Sequence, residues 1–380
     1  LYCEAVLDVF RPWPFEETCS RADATTGAAA AAAENAPVGP MMSLKAEGTV
    51  RIAFLIFMMD EVEAVQQMLA YLGPEDVALV HIDRKWPEAN AAMTRWVSES
   101  ELGRRVRVYS RWNIVRCGYS KSTAVLDLVE AAAADLPPWD VLLFLSATHF
   151  PIRPRWELAR LLWYHPVSFA AVEAGWGGSE EMKDYHHHWR LAFECAGDLW
   201  DPLWDESLGR PLVIPGLGHS NMSVVRGQDW VVLRRDFVDW LRASRRVRGS
   251  PAWVILRHVL RSWCSVEKIF HTLLLNTEWC HRASFRHDFT AIFTHQRENQ
   301  DVQHAGRSVD GSEGVIMASC PFLPTAAVSM VASARERFPL VFTRKVGPEL
   351  RGLLAQGPAF EAESWHVPHS RWPLAEQAWL

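Results

Sequence analysis

The pattern of apolar and polar positions changes abruptly at Arg51. Residues 52–57 form an unbroken apolar run, the mark of a strand covered on both faces. A helical pattern over 61–71 and a Gly-Pro turn lead to a second apolar run at 77–82, which ends at Asp83. The same alternation continues with a helix over 87–97, a strand over 106–109, a helix over 120–134, a strand over 141–145, a helix over 156–164 and a strand over 168–172. Strands alternating with helices of about ten to fifteen residues predict βαβ units and a largely parallel sheet, hence an α/β fold. In such open sheets ligands sit beyond the carboxyl ends of the strands. Attention therefore falls on residues 58–60, 83–85, 110–118 and 146–151.

The second half is less regular. Residues 173–217 are rich in Gly, Trp, His and Asp without a clear period, and read as long loops that shape a pocket. A strand is expected over 230–233, then helices over 235–243 and 267–276. Residues 1–48, with a Pro/Glu stretch and an Ala-rich tract at 27–33, read as an N-terminal extension or linker, although the tract could also form a short helix. The expected organisation is this extension, one catalytic domain over 49–356 and a C-terminal tail over 357–380. The chain has no internal repeat.

Composition narrows the function. The 380 residues carry a formal net charge of −6, with 49% hydrophobic and 22% charged residues, enough to fill a sizeable core. Mild acidity argues against a dedicated nucleic-acid binder. The seven cysteines form no CxxC or Cys/His metal spacing. They suit either a few disulfides in an oxidising lumen or buried free thiols. Asn221-Met222-Ser223 is a formal N-glycosylation sequon. No apolar run reaches the roughly eighteen residues of a membrane span. The chain opens on Leu1, so an incomplete or trimmed N-terminus is expected and a missing anchor carries no weight.

The sequence lacks GxGxxG, GxxxxGK[ST], GxSxG and HExxH. Dinucleotide oxidoreduction, P-loop hydrolysis, serine hydrolysis and zinc proteolysis thus lose their usual signals. A nucleotide-dependent methyltransferase, a competing α/β reading, lacks its glycine-rich loop after the first strand, where Phe57-Met58-Met59-Asp60 stands. A phosphate would have to be held by side chains or a helix N-terminus. Asp83 could accept from a ribose or uracil edge, or serve as a turn residue. Ser146 could contact ligand or cap the turn before Pro151. His186-His187-His188 cannot all face one ion in a regular element, so a solvated loop is the plainer reading. Asp-x-Asp pairs are absent from the strand ends. Among the 19 Trp, Trp176, Trp189, Trp200 and Trp204 fall in the irregular stretch, where an aromatic face could stack on a sugar.

Several blocks, in order, resemble the core-2/I-branching glycosyltransferase family, which includes the protein xylosyltransferases. They are Ile52-Ala53-Phe54-Leu55-Ile56 with Val80-His81-Ile82-Asp83-Arg84-Lys85; Ser110 to Gly118 with Leu143 to Ile152; Gly227 to Val238; and Ser265 to Leu274. A last piece, Leu340 to Val346, is similar to the plant and algal branch. The resemblance covers about residues 51–354. It implies a GT-A-type glycosyltransferase fold with irregular acceptor-side loops. It further implies a UDP-sugar donor, a glycan or glycoprotein acceptor, inversion at the anomeric carbon and no required metal or other cofactor. A Golgi membrane protein is implied, with a luminal catalytic domain and an N-terminal anchor that this chain does not contain. The sugar expected first is N-acetylglucosamine, with xylose and glucuronate behind it.

Carried over position by position, the resemblance makes Glu267 the catalytic base, its pKa raised toward working pH in a partly desolvated pocket. Arg344 and Lys345 become the cations that neutralise the leaving diphosphate. Asp83 and Ser146 become donor-pocket candidates, with Trp230 beside them. Three departures stand out. The family acid of "SG.DFP" is His149, the Asp of "PDE" is Val266, and "GSQW" reads Gly227-Gln228-Asp229-Trp230. These leave open a catalytically inactive relative that binds sugar nucleotides or glycans.

Overall fold

A computed structural model describes residues 50–170, 224–260, 262, 264–285, 341–344, 346 and 348–356, with the backbone of four further strands. The sheet begins with β1 (Ile52–Met58) and β2 (Val77–Ile82), separated by α1 (Val62–Leu69). It continues through α2 (Pro87–Glu99), β3 (Val106–Tyr109), α3 (Tyr119–Asp135) and β4 (Val141–Ser146). β5 (Phe150–Pro151), α4 (Arg155–Tyr164) and β6 (Ser168–Phe169) follow. The hairpin strands β7 (Phe193–Cys195) and β8 (Asp198–Trp200) pair antiparallel inside the stretch expected to be all loop. They are too short to print a period on the sequence.

β9 (Val232–Arg234) starts two residues later than expected, so Trp230 precedes the strand. It leads into α5 (Arg235–Ser244) and α6 (Pro251–Val259), the latter unanticipated. A 3₁₀ turn at Ser265–Glu267 precedes α7 (Ile269–Leu275). Glu267 therefore sits on the turn before the helix, not in its first turn. β10 (Ala283–Ser284), β11 (Thr290–His295), β12 (Val302–Ala305), β13 (Phe342–Arg344) and α8 (Pro348–Leu354) complete the order.

The central seven-stranded sheet runs β10-β6-β9-β4-β1-β2-β3. β1 is parallel to both β2 and β4, and β2 to β3, whereas β9 is antiparallel to β4. The chain is thus α/β with a largely parallel sheet, the arrangement expected of a GT-A-type fold. Alternate residues of β1 feed opposite cores, Ala53 and Leu55 packing on one face, Ile52, Phe54 and Ile56 on the other. α3, α5, α6 and α7 cover the first face; α1, α2 and α4 cover the second. A smaller sheet, β12-β11-β13-β5, flanks this body and joins it through β5.

Beneath the second face lies a buried ion pair. Asp76, fully buried, pairs with Arg155, takes the Ile52 amide at 2.9 Å and the Gly73 amide at 2.8 Å, and Arg155 Nη2 donates to the Val50 carbonyl at 2.8 Å. One carboxylate thereby fixes the start of β1 to the turn before β2 and to α4.

Candidate functional site

The order of the parallel strands reverses between β1 and β4, the place where an open sheet leaves a crevice at its carboxyl edge. Backbone bonds lace the strand ends there: the Asp83 amide donates to the Met58 carbonyl at 3.1 Å and the Ala147 amide to Phe57 at 2.8 Å. Asp83 is buried at the end of β2. Its carboxylate accepts from the amides of Lys85 at 3.0 Å and Ile114 at 3.3 Å, with Lys85 Nζ 3.2 Å away. It has the turn role and also pins the 110–118 loop, so a nucleoside would have to share it.

Ser146 ends β4 in a tight knot. Its hydroxyl lies 2.8 Å from Thr148 Oγ1 and 2.9 Å from His149 Nδ1, which also accepts the Ser146 amide at 2.9 Å. The turn-capping alternative describes this geometry. His149 is fully buried; burial and then the charge of Arg344 push its pKa well below the ordinary histidine value, so it is neutral at pH 7. Where the family pattern has an acid, this chain has an uncharged ring.

That ring packs edge-on against Trp230, with centroids 4.5 Å apart. Arg344 spreads over the same indole at 4.5 Å, and Lys121 Nζ lies 6.0 Å from it. β13 delivers Arg344 because Thr343 pairs with Phe150, just after the Ser146 knot. Lys121, in the first turn of α3, is ion-paired with Asp229. Burial alone would raise the Asp229 carboxyl, but Lys121 and then Arg344 outweigh it and hold the pKa below the usual value. The sequence marked Asp229 only as a departure from the family pattern, and Lys121 and Arg226 were passed over; the signal for Lys121 was a lysine at a helix start.

Glu267 joins this cluster through the segment 226–230. Arg226 Nε is 2.8 Å from the Glu267 carboxylate, and the Gly227 amide donates to the Glu267 carbonyl at 2.9 Å. The side chain is 21% exposed and ion-paired, so a guanidinium contact stands in its partly desolvated setting. Val266 is 3% exposed and belongs to the core with Ile269 and Phe270. The missing Asp at 266 is therefore a core substitution. Next to Lys268, burial outweighs the pull of Glu267 and lowers the ammonium to about 7.

A disulfide joins Cys117 to Cys264, and Cys280 is also disulfide-bonded. Both cysteine sulfurs and a Glu267 carboxylate oxygen lie within 4.8 Å of one another. With the sulfurs bonded to each other they offer no thiolate, so a cation here would require reduction. Lys345, His186 to His188, Trp176, Trp189, Trp204 and Asn221 lie outside the described residues, as do 1–48 and 357–380; Trp200 closes β8.

The comparisons with known proteins fall on this framework. The sequence model of the Core-2/I-Branching enzyme family matches residues 52–310. "Xylosyltransferase oxt" of Drosophila pseudoobscura pseudoobscura is 25% identical over 241 residues, covering 61% of this chain and 25% of the fly protein. Its Drosophila melanogaster counterpart is 26% identical over 260 residues, 67% of this chain and 27% of that protein. The "Beta-1,3-galactosyl-O-glycosyl-glycoprotein beta-1,6-N-acetylglucosaminyltransferase 3" of Rattus norvegicus is 22% identical over 215 residues, 55% of this chain and 45% of that one. The matches thus span about a quarter of the fly proteins and under half of the rat one. The family match opens on the first residue of β1 and takes in the crevice, Asp83, Ser146, Trp230 and Glu267, and on that span the chain belongs to the Core-2/I-Branching enzyme family.

Proposed function

We propose that the chain is an inverting glycosyltransferase that moves a sugar from a UDP-sugar to a glycan or glycoprotein hydroxyl. Glu267 takes the acceptor proton as the acceptor oxygen bonds to the anomeric carbon. The anomeric bond to UDP breaks, and its electron pair leaves with the diphosphate. One observation carries the reading. Segment 226–230 at the carboxyl edge touches Glu267 at one end, through Arg226, and Arg344 at the other, through Trp230. A carboxylate and a cation are thus held on one short scaffold, which is what proton removal and leaving-group neutralisation need. Arg226 must release or share Glu267 when the acceptor hydroxyl arrives.

Arg344, with Lys345 beside it in sequence, takes the role that a chelated metal has in other transferases, so the reaction is proposed to be metal-independent. N-acetylglucosamine is the proposed sugar. Xylose is a second reading, favoured by the two fly relatives named xylosyltransferases. A Golgi lumen is the proposed setting, supported by the Cys117–Cys264 disulfide, since such bonds persist in oxidising compartments. No described helix is long and apolar enough to cross a membrane.

The test is transfer from UDP-N-acetylglucosamine, UDP-xylose and UDP-glucuronate to a glycan acceptor, with EDTA or manganese. Transfer from one donor that survives excess EDTA is expected. Binding of UDP without transfer or hydrolysis of any donor would favour the inactive relative. Complete loss in EDTA with rescue by manganese would refute metal independence.

A further inference from the structure

We infer that Cys117 and Cys264 are positioning residues for Glu267: their disulfide fixes the turn carrying the carboxylate against the start of α3. This rests on Glu267 being the base. Both cysteines sit in the left-handed region, Cys117 at φ 60° and Cys264 at φ 48°. Non-glycine residues seldom adopt it, and it persists where surrounding contacts over-determine the backbone. Here the contacts bring two remote chain segments together. The Cys264 amide donates to the Cys117 carbonyl at 3.1 Å, and the hydroxyls of Ser122 and Ser265 meet at 2.5 Å. The Glu267 amide then donates to the Cys264 carbonyl at 3.0 Å, placing the carboxylate one hydrogen-bonded turn from the crosslink.

The other side of the same clamp holds the cations. α3 begins just after Cys117 and carries Lys121, whose partner Asp229 adjoins the Trp230 that Arg344 covers. A covalent bond therefore sets the base relative to the proposed diphosphate cradle. Without it, the turn keeps the serine pair, the amide bonds of Cys264 and Gly227, the Arg226 contact and the burial of Val266, non-covalent anchors among which each hydrogen bond is worth about 1 kcal/mol. A displacement of about 1 Å in a reacting group can cost on the order of a hundredfold in rate.

The experiment compares the full chain with Cys117→Ser/Cys264→Ser and with Met93→Ala, a truncation in α2 of the core on the other face of the sheet. The expected result for the double variant is a kcat lower by about 10- to 100-fold, with the UDP-sugar KM within about threefold. Amide exchange at Glu267 and Lys268 should accelerate at least about tenfold, while α7 keeps its protection. If the double variant fails to fold, the same readouts are taken on native protein opened with a phosphine, the broken bond being mapped by mass. Wild-type kcat, or wild-type exchange at Glu267, overturns the inference, as does an equal kcat loss in Met93→Ala. If the oxidised parent transfers no sugar, the base reading falls by itself, and exchange at Glu267 alone judges the clamp.

Discussion

At the scale of single residues, the chemistry turns on how charge is placed around Trp230. The family pattern puts an acid at the position of His149 and an amide at that of Asp229. This chain has the reverse, a neutral ring and a carboxylate, both beside Arg344. One acid is thus retained near the cation. Glu267→Gln keeps the shape of the side chain and removes its basicity. Turnover should fall by roughly two to four powers of ten with UDP affinity little changed, read by initial rates and by calorimetry. Lys268 gives a pH signature. Its folded pKa of about 7 lies below the unfolded value near 10.5, so between these values the unfolded chain binds the extra proton. Stability should therefore rise as pH climbs from about 7 toward 10, by up to about 1.4 kcal/mol per unit from this group. Urea unfolding across that range should show the slope in the parent and a flatter one in Lys268→Met.

At the scale of elements, position 266 shows how a motif departure can mislead. Read from sequence, Val266 marks a lost functional acid; in the fold it seals α7 to the sheet beside Phe270. Val266→Asp would restore the family letter by burying an unpaired carboxylate. It should cost about 3 kcal/mol or more without raising turnover, measured by thermal melting and initial rates. Apart from the two-residue β5, the strands and helices up to 164 were legible because long apolar runs alternate with amphipathic stretches. β7, β8, β10 and β13 were not, being too short to print a period. Within the site, Glu267, Trp230 and Arg344 were reachable through motif resemblance. Lys121, Arg226 and the Cys117–Cys264 bond were not, since each depends on which remote segments meet. The disulfide spans 147 residues of sequence, and nothing local announces its pairing.

At the scale of the molecule, the Asp76–Arg155 pair ties the entry of the central sheet to the helix behind it. Arg155→Met would leave Asp76 buried without its cation, although two amides would still donate to it. A loss of about 3–5 kcal/mol is expected, seen as a lower urea midpoint with a largely unchanged slope. The site itself lies at the opposite edge of β1, so the same variant should keep its donor KM under conditions where it remains folded.

Arg344 reaches Trp230 only because β13 adds itself to β5, nearly two hundred residues earlier in the chain. During synthesis from the N-terminus, the parallel strands, the crevice and Glu267 all emerge before this guanidinium does. A nascent chain therefore carries the carboxylate of Glu267 well before the guanidinium that covers Trp230, and the proposed donor cradle closes only once β13 has been made.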